Sequence, residues 1–327
     1  MDSQLDKYIK AGEIHRNVRD YIIPHLTPGI KYVDIVKIIE NKIVEEIDKL
    51  NKFNESPQIN NGIAFPTGIS VNNIAAHFTP SYKEASVLKF SDVMKIDYGV
   101  HIDGCIVDSA FTINLNEEYS EILKASREAV NEVIKNMGVD SRFGDLSAIS
   151  QEIVESYEYK GKPLKVIDNL AGHNILPWKI HGGQLLFGKP QHNSDYDDLK
   201  IDDGEVMAIE IFVSNGNGTT QLGMNPLNYS HYMLKPEVER IPLFTTKKTN
   251  EISRIIKKHF KTLPFCPRFI DNINKSHTHY LPNLQELFSN GYINSYPPLL
   301  ETDKNSKIAQ FEHSVFIGED KKIVLSQ

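Results

Sequence analysis

Residues 93–113 read VMKIDYGVHIDGCIVDSAFTI, and this stretch decides the fold. Two apolar runs flank Asp103-Gly104, a dipeptide typical of the tight turn that joins two antiparallel strands. If these two residues form the centre of the turn, Ile102 pairs with Cys105, and the register of the whole pair follows. The pattern predicts a β-hairpin.

The same register brings two carboxylates together. Asp97 lies opposite Ala110, and Asp108, two residues before Ala110, shares its face of the hairpin. Carboxylates at cross-strand spacing suit a pair of metal ions about 3.5–4 Å apart. Two exposed hairpin acids are the alternative, but the apolar residues around both make a lone buried carboxylate costly.

Helical patterns on both sides of the hairpin predict that one unit occurs twice. The four patterns are Leu5 to Ile22, Lys31 to Leu50, Ser120 to Met137 and Asp145 to Tyr157. A strand-like run, Val206 to Val213, follows the second helix pair and leads to Asn215-Gly216, which resembles a second hairpin turn. Helix, helix, hairpin therefore recurs, which predicts a single α/β core with internal pseudo-symmetry.

Residues 244–300 break this order with a helix-rich stretch punctuated by prolines. We interpret them as an insertion within one domain of residues 1–327, before a final strand pair near 310–316 and 322–325. The segment 244–275 is also basic, with eight cationic side chains against two carboxylates. Its cations are Lys247, Lys248, Arg254, Lys257, Lys258, Lys261, Arg268 and Lys275. A solvated helix face and an RNA-binding surface are both open interpretations.

Composition excludes several classes of protein. The net charge of −7 argues against a surface built as a whole to neutralise nucleic-acid phosphates, so no specific DNA partner is expected. The two cysteines, Cys105 and Cys266, form no C-x-x-C pair, which excludes a disulfide framework and a thiolate zinc site. No signal region and no long apolar run occur, which predicts a cytoplasmic protein without membrane contact.

Three further polar residues stand in apolar or glycine-rich sequence. They are His173 in NLAGH, Glu210 in AIEIF and Glu312 in AQFEH. Each alone has an ordinary alternative, a loop histidine or an outward-facing glutamate. Together with Asp97 and Asp108 they form an oxygen-dominated, thiolate-free set, which suits Mn²⁺, Fe²⁺, Co²⁺ or Zn²⁺ in a dinuclear site.

In this order the five residues resemble the metal ligands of the methionine aminopeptidases with the pita-bread fold. Asp97 and Asp108 stand in the motif D-x-G-x(8)-D-x-A-x-T. Other matching words are Phe65-Pro66-Thr67-Gly68-x-Ser70-x-Asn72-Asn73-x-Ala75-Ala76-His77, Ile180-His181, Ser230-His231-Tyr232-Met233 and Tyr296-Pro297-Pro298-Leu299. The long interval between His231 and Glu312 resembles the type 2 enzymes. The resemblance implies an α+β pita-bread fold with a pseudo-twofold α-α-β-hairpin repeat and a helical insertion.

The resemblance also implies roles for the metal ligands. Asp97 would bind one of two divalent ions per chain, Asp108 and Glu312 would bridge both, and His173 with Glu210 would complete the second. Glu210, at the edge of the site, would also act as the proton shuttle.

By the same resemblance, His77 and His181 are the catalytic imidazoles, and fumagillin-type epoxides would alkylate His77. The substrate-binding residues would be Phe65, His77, Ile180, His181, His231 and Tyr296. Core packing is the alternative for Phe65 and Ile180. The implied function is cotranslational removal of the initiator methionine from nascent proteins whose second residue is small, with possible transient ribosome association through the basic segment.

Two other functions stay open from sequence alone. A prolidase or Xaa-Pro aminopeptidase shares the fold and ligands but usually carries a large amino-terminal domain, whereas about 90 residues precede the hairpin here. A non-catalytic binding relative would have lost ligands, and all five positions are filled. One departure is Ala171, which replaces the usual Asn of N-L-N-G-H and bears on substrate positioning.

Overall fold

Two helices and an antiparallel sheet form the first half of the fold in the computed structural model, which describes residues 3–53, 61–191, 195–223, 230–238, 246–274 and 280–327. The elements are α1 (Gln4–Ile22), α2 (Tyr32–Phe53), β1 (Gly62–Val71), β2 (Ile74–Ala76), β3 (Val93–Ile102) and β4 (Cys105–Asn114). Strand β3 lies between β1 and β4. A capping box between Ser3 and Asp6 begins α1, where each side chain accepts from the other residue's amide.

The β3–β4 hairpin has the predicted register. Asp97 lies opposite Ala110, as the Asp-Gly turn required. Asp103 and Gly104 have φ values of 49° and 82°, the positive pair that a type I′ turn needs. Because side chains alternate along a strand, Ile96 points into the core while Asp97 points to the opposite face.

The second half repeats the two helices and then builds a larger sheet. Its elements are α3 (Ser120–Asn136), α4 (Phe143–Ser156), β5 (Glu158–Tyr159), β6 (Lys162–Pro163), β7 (Lys165–Val166), β8 (Ala171–Asn174), β9 (Leu185–Phe187), α5 (Asp195–Asp198) and β10 (Glu205–Ser214). Strand β10 pairs with β7 and β8, and β8 pairs with β9. All four helical patterns in the sequence are therefore confirmed, within a few residues at their ends.

The second strand pair differs from the predicted hairpin. The chain does not turn back into a hairpin after β10 at Asn215-Gly216. Instead, β10 also pairs with β15 (Ile308–Gly318), a strand close to the carboxyl end of the chain. In this antiparallel pair Glu210 lies directly opposite Glu312. The insertion separates the two strands in sequence, so no local turn could indicate their pairing.

Several short strands and helices lie between β10 and β15 in the described ranges. They are β11 (Thr220–Leu222), β12 (His231–Leu234), α6 (Lys247–Ile255), a π-helical turn (Ile256–Phe260), α7 (Pro267–Asn274), α8 (Leu281–Ser289), β13 (Ile293–Tyr296) and β14 (Leu299–Glu301), and β16 (Lys321–Val324) follows β15. Strand β14 pairs with β11 and with β2 of the first half. Helices α6 to α8 share an apolar cluster with β12 and β13 that is separate from the main core. Strands β13 and β14 were not predicted, and residues 244, 245 and 275–279 lie outside the described ranges.

Side-chain hydroxyls join the two halves where β4 faces β15. Ser109 Oγ donates to the Glu312 carbonyl at 2.5 Å, and Thr112 Oγ1 donates to the Gln310 carbonyl at 2.7 Å. In return, Ser314 Oγ accepts from the Asp108 amide at 2.8 Å. These bonds fix Asp108 and Glu312, which lie far apart in sequence, against each other.

None of the helices in the described ranges is long and apolar enough to cross a membrane.

Candidate active site

A cavity lies where the two halves of the fold meet the elements between β10 and β15. Every site residue named from the sequence lines it. These residues are Phe65, His77, Asp97, Asp108, His173, Ile180, His181, Glu210, His231, Tyr296 and Glu312. The structure thus brings together residues from both halves of the chain, although their individual roles stay predictions.

The polar floor of the cavity is a tight group of side chains of the types that can bind metal ions. One ligand atom from each of Asp108, His173 and Glu312 lies within 4.8 Å of the other two, and all three side chains are buried. His173 Nε2 is 3.7 Å from Asp108 Oδ2. Gln310 Nε2 donates to Glu210 at 3.1 Å and to Glu312 at 3.3 Å, so Glu210 belongs to the same group.

Several observations show that this floor fits cations. Buried oxygens of Asp97, Asp108 and Glu312 have no hydrogen-bond partner in the described chain. His173 Nδ1 lies 3.3 Å from the Asn174 carbonyl; with the proton on Nδ1, the Nε2 lone pair faces Asp108. Acceptors that face each other in a buried site need either protons or a cation between them, because unpaired buried charges are otherwise very costly.

Burial shifts the pKa of each carboxyl in the floor. Desolvation raises the pKa of Asp97 to about 7. Desolvation, followed by the charges of neighbouring carboxylates, raises the pKa values of Asp108, Glu210 and Glu312 well above their ordinary range. Without a cation the group therefore holds protons, and a divalent ion would displace them.

Two glycines in the sequence motifs quoted above allow close packing around the site. A Cβ on Gly99 would come within 2.3 Å of the Phe65 ring, and one on Gly172 would come within 2.3 Å of the Ala208 carbonyl. Gly99 therefore lets the Phe65 ring lie against β3 in the cavity wall. Gly172 lets β8 approach β10 and places the next residue, His173, beside the carboxylates.

His77 lines the same cavity and has an unusual backbone conformation. It follows β2 with a φ of 62°, a left-handed value that costs a non-glycine residue roughly 1–3 kcal/mol. Its ring centroid is 6.0 Å from that of His231 and 5.8 Å from that of Tyr296. His181 makes an edge contact with the ring of His173, with centroids 4.5 Å apart. Two imidazoles thus flank the space above the carboxylates.

The cavity histidines are neutral near pH 7. Desolvation lowers the pKa of His77 to about 4 and that of His231 to about 3. Burial also lowers the pKa of His181. Each neutral ring therefore carries one N–H donor and one lone pair.

Comparison with known proteins identifies the family. The model of metallopeptidase family M24 matches residues 6–229. This chain belongs to family M24. It is also 40% identical over 327 residues to a methionine aminopeptidase 2 of Sclerotinia sclerotiorum, a match that covers 99% of this chain and 71% of that protein. The resemblance to type 2 methionine aminopeptidases is thereby confirmed.

Solved structures confirm the pita-bread fold. A thermophilic Arx1 superposes with a TM-score of 0.82 at 17% identity, covering 98% of this chain and 90% of that one. The methionine aminopeptidase of Thermotoga maritima gives a TM-score of 0.65 at 20% identity, covering 100% and 98%. At these identities the likeness concerns the fold alone. Membership of family M24 implies that the protein uses divalent metal.

The raised carboxyl pKa values predict how the stability of this M24 metallopeptidase depends on pH. The folded pKa of Asp97 is raised from 3.8 to about 7, so the folded state holds a proton that the unfolded chain releases earlier. Stability from this group is complete below pH 3.8 and is lost as the pH rises through about 7. Asp108, Glu210 and Glu312 shift in the same direction, so we expect the melting temperature of metal-free protein to fall as the pH rises from about 4 to about 7, and a saturating divalent ion to abolish that fall.

Histidine titration acts in the opposite direction over part of this range. The lowered pKa values of His77 and His231 contribute stability above about pH 6.5 that is lost as the pH falls towards about 4 and about 3. Because both residues are present with and without the ion, the difference between the two curves isolates the carboxylates. Differential scanning fluorimetry with and without Mn²⁺ or Co²⁺ measures both curves. Identical pH slopes with and without the ion would show that the carboxylates do not exchange protons for metal.

The residues not predicted for the site include Met233 and Pro264, which line the cavity, and Gln310, which bonds to the carboxylates of its floor. Gln310 lies within the motif AQFEH, and its side-chain amide donates to the carboxylates of Glu210 and Glu312. Met233 follows His231 by two positions in β12, so strand alternation could have indicated it. Pro264 reaches the cavity from the insertion, and its sequence context carried no signal of this.

Proposed function

We propose that this protein removes the initiator methionine from nascent proteins, using two divalent ions held by Asp97, Asp108, His173, Glu210 and Glu312. The observation that carries the proposal is that these five residues line the same cavity as a slot for an apolar side chain. The chain resembles methionine aminopeptidases 2 along its whole length. Residues 1–327 then form one catalytic domain, with 244–300 as an insertion within it, and nascent substrates place the enzyme in the cytoplasm.

The proposed ligand roles are those that the family resemblance implies. Asp108 and Glu312, whose backbones are held together by Ser109 and Ser314, would each bind both ions. Asp97 would bind one of the ions, and His173 with Glu210 would complete the binding of the other. When bound, the two ions would lower the pKa of a shared water and polarise the scissile carbonyl. The donor set allows Mn²⁺, Fe²⁺, Co²⁺ or Zn²⁺.

The chain's own groups move the protons and bind the charge that develops. Glu210, oriented by Gln310, accepts a proton at the edge of the site and returns it to the leaving amine. His77 and His181, neutral because of burial, donate hydrogen bonds to the scissile amide and to the developing oxyanion. Donors of this kind each contribute about 2.7–4 kcal/mol to the stability of a transition state.

An apolar slot beside these imidazoles would bind the methionine side chain. Phe65 and Ile180 contribute apolar walls, and His231 and Tyr296 lie opposite each other on paired strands. His231 is fixed by Ser230 Oγ at 3.0 Å from Nδ1 and by the Pro66 carbonyl at 3.3 Å from Nε2. A flexible thioether fits such a surface well.

We expect the second residue of the substrate to control cleavage. The scissile amide must approach the carboxylate floor between His77 and His181, and a bulky second side chain would obstruct it. Peptides that begin with Met followed by Gly, Ala, Ser, Thr or Val should be cut, while those with Asp, Lys or Phe second should be cut slowly. A peptide series assayed for released methionine measures this. Preference for Xaa-Pro peptides that lack methionine would instead identify a prolidase-type enzyme.

Transient ribosome association through the basic segment is a further part of the proposal. Not every cation of the basic segment is available for such contacts. Arg268 is buried against Glu40, and Lys248 is paired with Glu251. Lys261 lies 3.6 Å from the centroid of the Trp178 ring. Lys275 lies outside the described residues. Exposed cations are Lys247, Arg254 and Lys258.

We expect Lys247→Glu/Arg254→Glu/Lys258→Glu to weaken co-sedimentation with ribosomes and to leave tripeptide hydrolysis unchanged. Phosphate contacts weaken steeply with salt, so wild-type association should fall by at least about tenfold between 50 and 200 mM salt. The matched control reverses three exposed cations elsewhere, Lys124, Lys135 and Lys162. Equal loss in both triple variants, or association independent of salt, would remove the ribosome from the proposal.

A further inference from the structure

A buried arginine ties the insertion to the first half of the chain. Arg268, at the start of α7, is 3% exposed, and its guanidinium donates four hydrogen bonds. Nη1 and Nη2 donate to the two oxygens of Glu40 in α2, at 2.7 and 3.0 Å. Nη2 also donates to Thr79 Oγ1 at 2.7 Å, and Nε donates to the Pro80 carbonyl at 2.9 Å. Apart from Glu40, both partners belong to the segment that begins at His77.

The same network continues to His77 and His231, which both line the cavity. The Thr79 amide donates to Ser230 Oγ at 3.2 Å, and Ser230 Oγ donates to the His77 carbonyl at 3.2 Å. Ser230 Oγ also contacts His231 Nδ1. Glu40 Oε1 accepts from the Thr67 amide at 3.4 Å, next to Pro66 and Gly68 in the cavity wall.

His77 needs such support because its backbone is strained. A non-glycine residue persists at a left-handed φ only when the surrounding structure fixes it. The bonds from Arg268 to Thr79 and Pro80, and from Ser230 to the His77 carbonyl, fix the residues that follow the strained position. A buried ion pair by itself often adds little net stability, so the choice of partners indicates what the pair does.

We propose that Arg268, with Glu40 as its counter-ion, is a positioning residue that holds His77 in its strained conformation above the carboxylate floor. Arg268, a residue of the insertion, would then contribute to turnover through His77 and without contacting the substrate itself. This inference rests on the proposed function, in which His77 donates to the scissile bond.

A double-mutant cycle tests the inference. Both charges are removed together, as Glu40→Gln/Arg268→Met, because a single change would leave a buried charge unpaired. In otherwise wild-type protein we expect kcat for Met-Ala-Ser to fall on the order of 10²-fold, the scale of a misplaced catalytic group, with metal content unchanged. In a His77→Ala background the same pair of changes should lower kcat by less than about twofold, because independent effects add and shared ones do not.

Two further measurements keep the test decisive. Thr79→Val removes only one acceptor of Arg268 and should lower kcat less than the paired change, with the same loss of effect in the His77→Ala background. Lys322→Met is the matched control, because Lys322 Nζ bonds to the carbonyls of Ile134, Lys135 and Met137, outside the cavity. It should leave kcat unchanged at equal folded fraction.

Imidazole NMR resonances of His77 give a readout that does not depend on peptidase activity. They should shift in Glu40→Gln/Arg268→Met and in Thr79→Val, while those of exposed His25 stay unchanged. Equal losses of kcat in both backgrounds, or unmoved His77 resonances, would overturn the inference. If wild-type protein cleaves no methionyl peptide but the His77 resonances still shift in the two variants, the proposed function is refuted and the positioning role stands.

Discussion

Glu312→Gln is expected to lower kcat/KM for Met-Ala-Ser by on the order of 10³-fold, which is about 4 kcal/mol of transition-state stabilisation. Glutamine keeps the shape of the side chain but removes a negative charge from the floor that Glu312 shares with Asp108 and His173. The variant should bind fewer than two divalent ions per chain, measured by elemental analysis after dialysis. Asp108→Asn should behave alike for the same reason.

The metal-free form of Glu312→Gln separates a lost ligand from a damaged fold. Crowded carboxylates destabilise each other without a cation, so removing one should raise the melting temperature of metal-free protein and reduce the increase that metal gives. Glu301→Gln is the matched control, because Glu301 is equally buried, at 1% exposure, but bonds to Ser214 outside the cavity. It should lose stability and keep its metals. Full activity of Glu312→Gln would contradict the dinuclear site.

His77→Asn is expected to lower kcat by about 10²–10³-fold while metal content and melting temperature stay close to those of wild type. The loss follows from removing a neutral donor aimed at the scissile bond. Burial lowers the pKa of His77 to about 4, so its free nitrogen is also a nucleophile at pH 7. A fumagillin-type epoxide that enters the apolar slot should therefore react there: the nitrogen bonds to a ring carbon, the C–O bond opens and the oxygen takes a proton.

Peptide mass spectrometry should find one adduct on His77 in wild-type protein and none in His77→Asn. His101→Asn is the control, because His101 is also buried but does not line the cavity. It should keep both turnover and the adduct. An adduct on His181 or His231, or undiminished turnover of His77→Asn, would show that another imidazole faces the scissile bond.

The part of the site predicted from residues alone is the part with local geometry. Asp97 and Asp108 belong to one hairpin, whose Asp-Gly turn fixes the register and whose alternation fixes the face. Glu210 and Glu312 also lie opposite each other, but the insertion separates their strands, so the pairing depends on the whole tertiary fold. Their residue types and apolar settings grouped the two pairs as a hypothesis, and the resemblance to a known family supported it, but neither argument gave the geometry.

The basic segment shows the opposite case. Sequence pattern placed Arg268 among surface cations, whereas the structure buries it against Glu40, which lies 228 residues away. The contribution of Pro264 to the cavity likewise depends on how the insertion docks. Such contacts follow from long-range packing, which hydrophobic periodicity and charge runs do not encode.

Metal titration of the stripped enzyme tests the central claim most directly. Protein freed of divalent ions by a chelator is titrated with Mn²⁺ or Co²⁺ while methionine release from Met-Ala-Ser is followed, with an Ala-Pro peptide as the comparison. The account predicts no release without metal, release that rises and saturates as ions bind to the floor, and no cleavage of Ala-Pro. Methionine release that is unaffected by the chelator, or cleavage of Ala-Pro but not of Met-Ala-Ser, would contradict it.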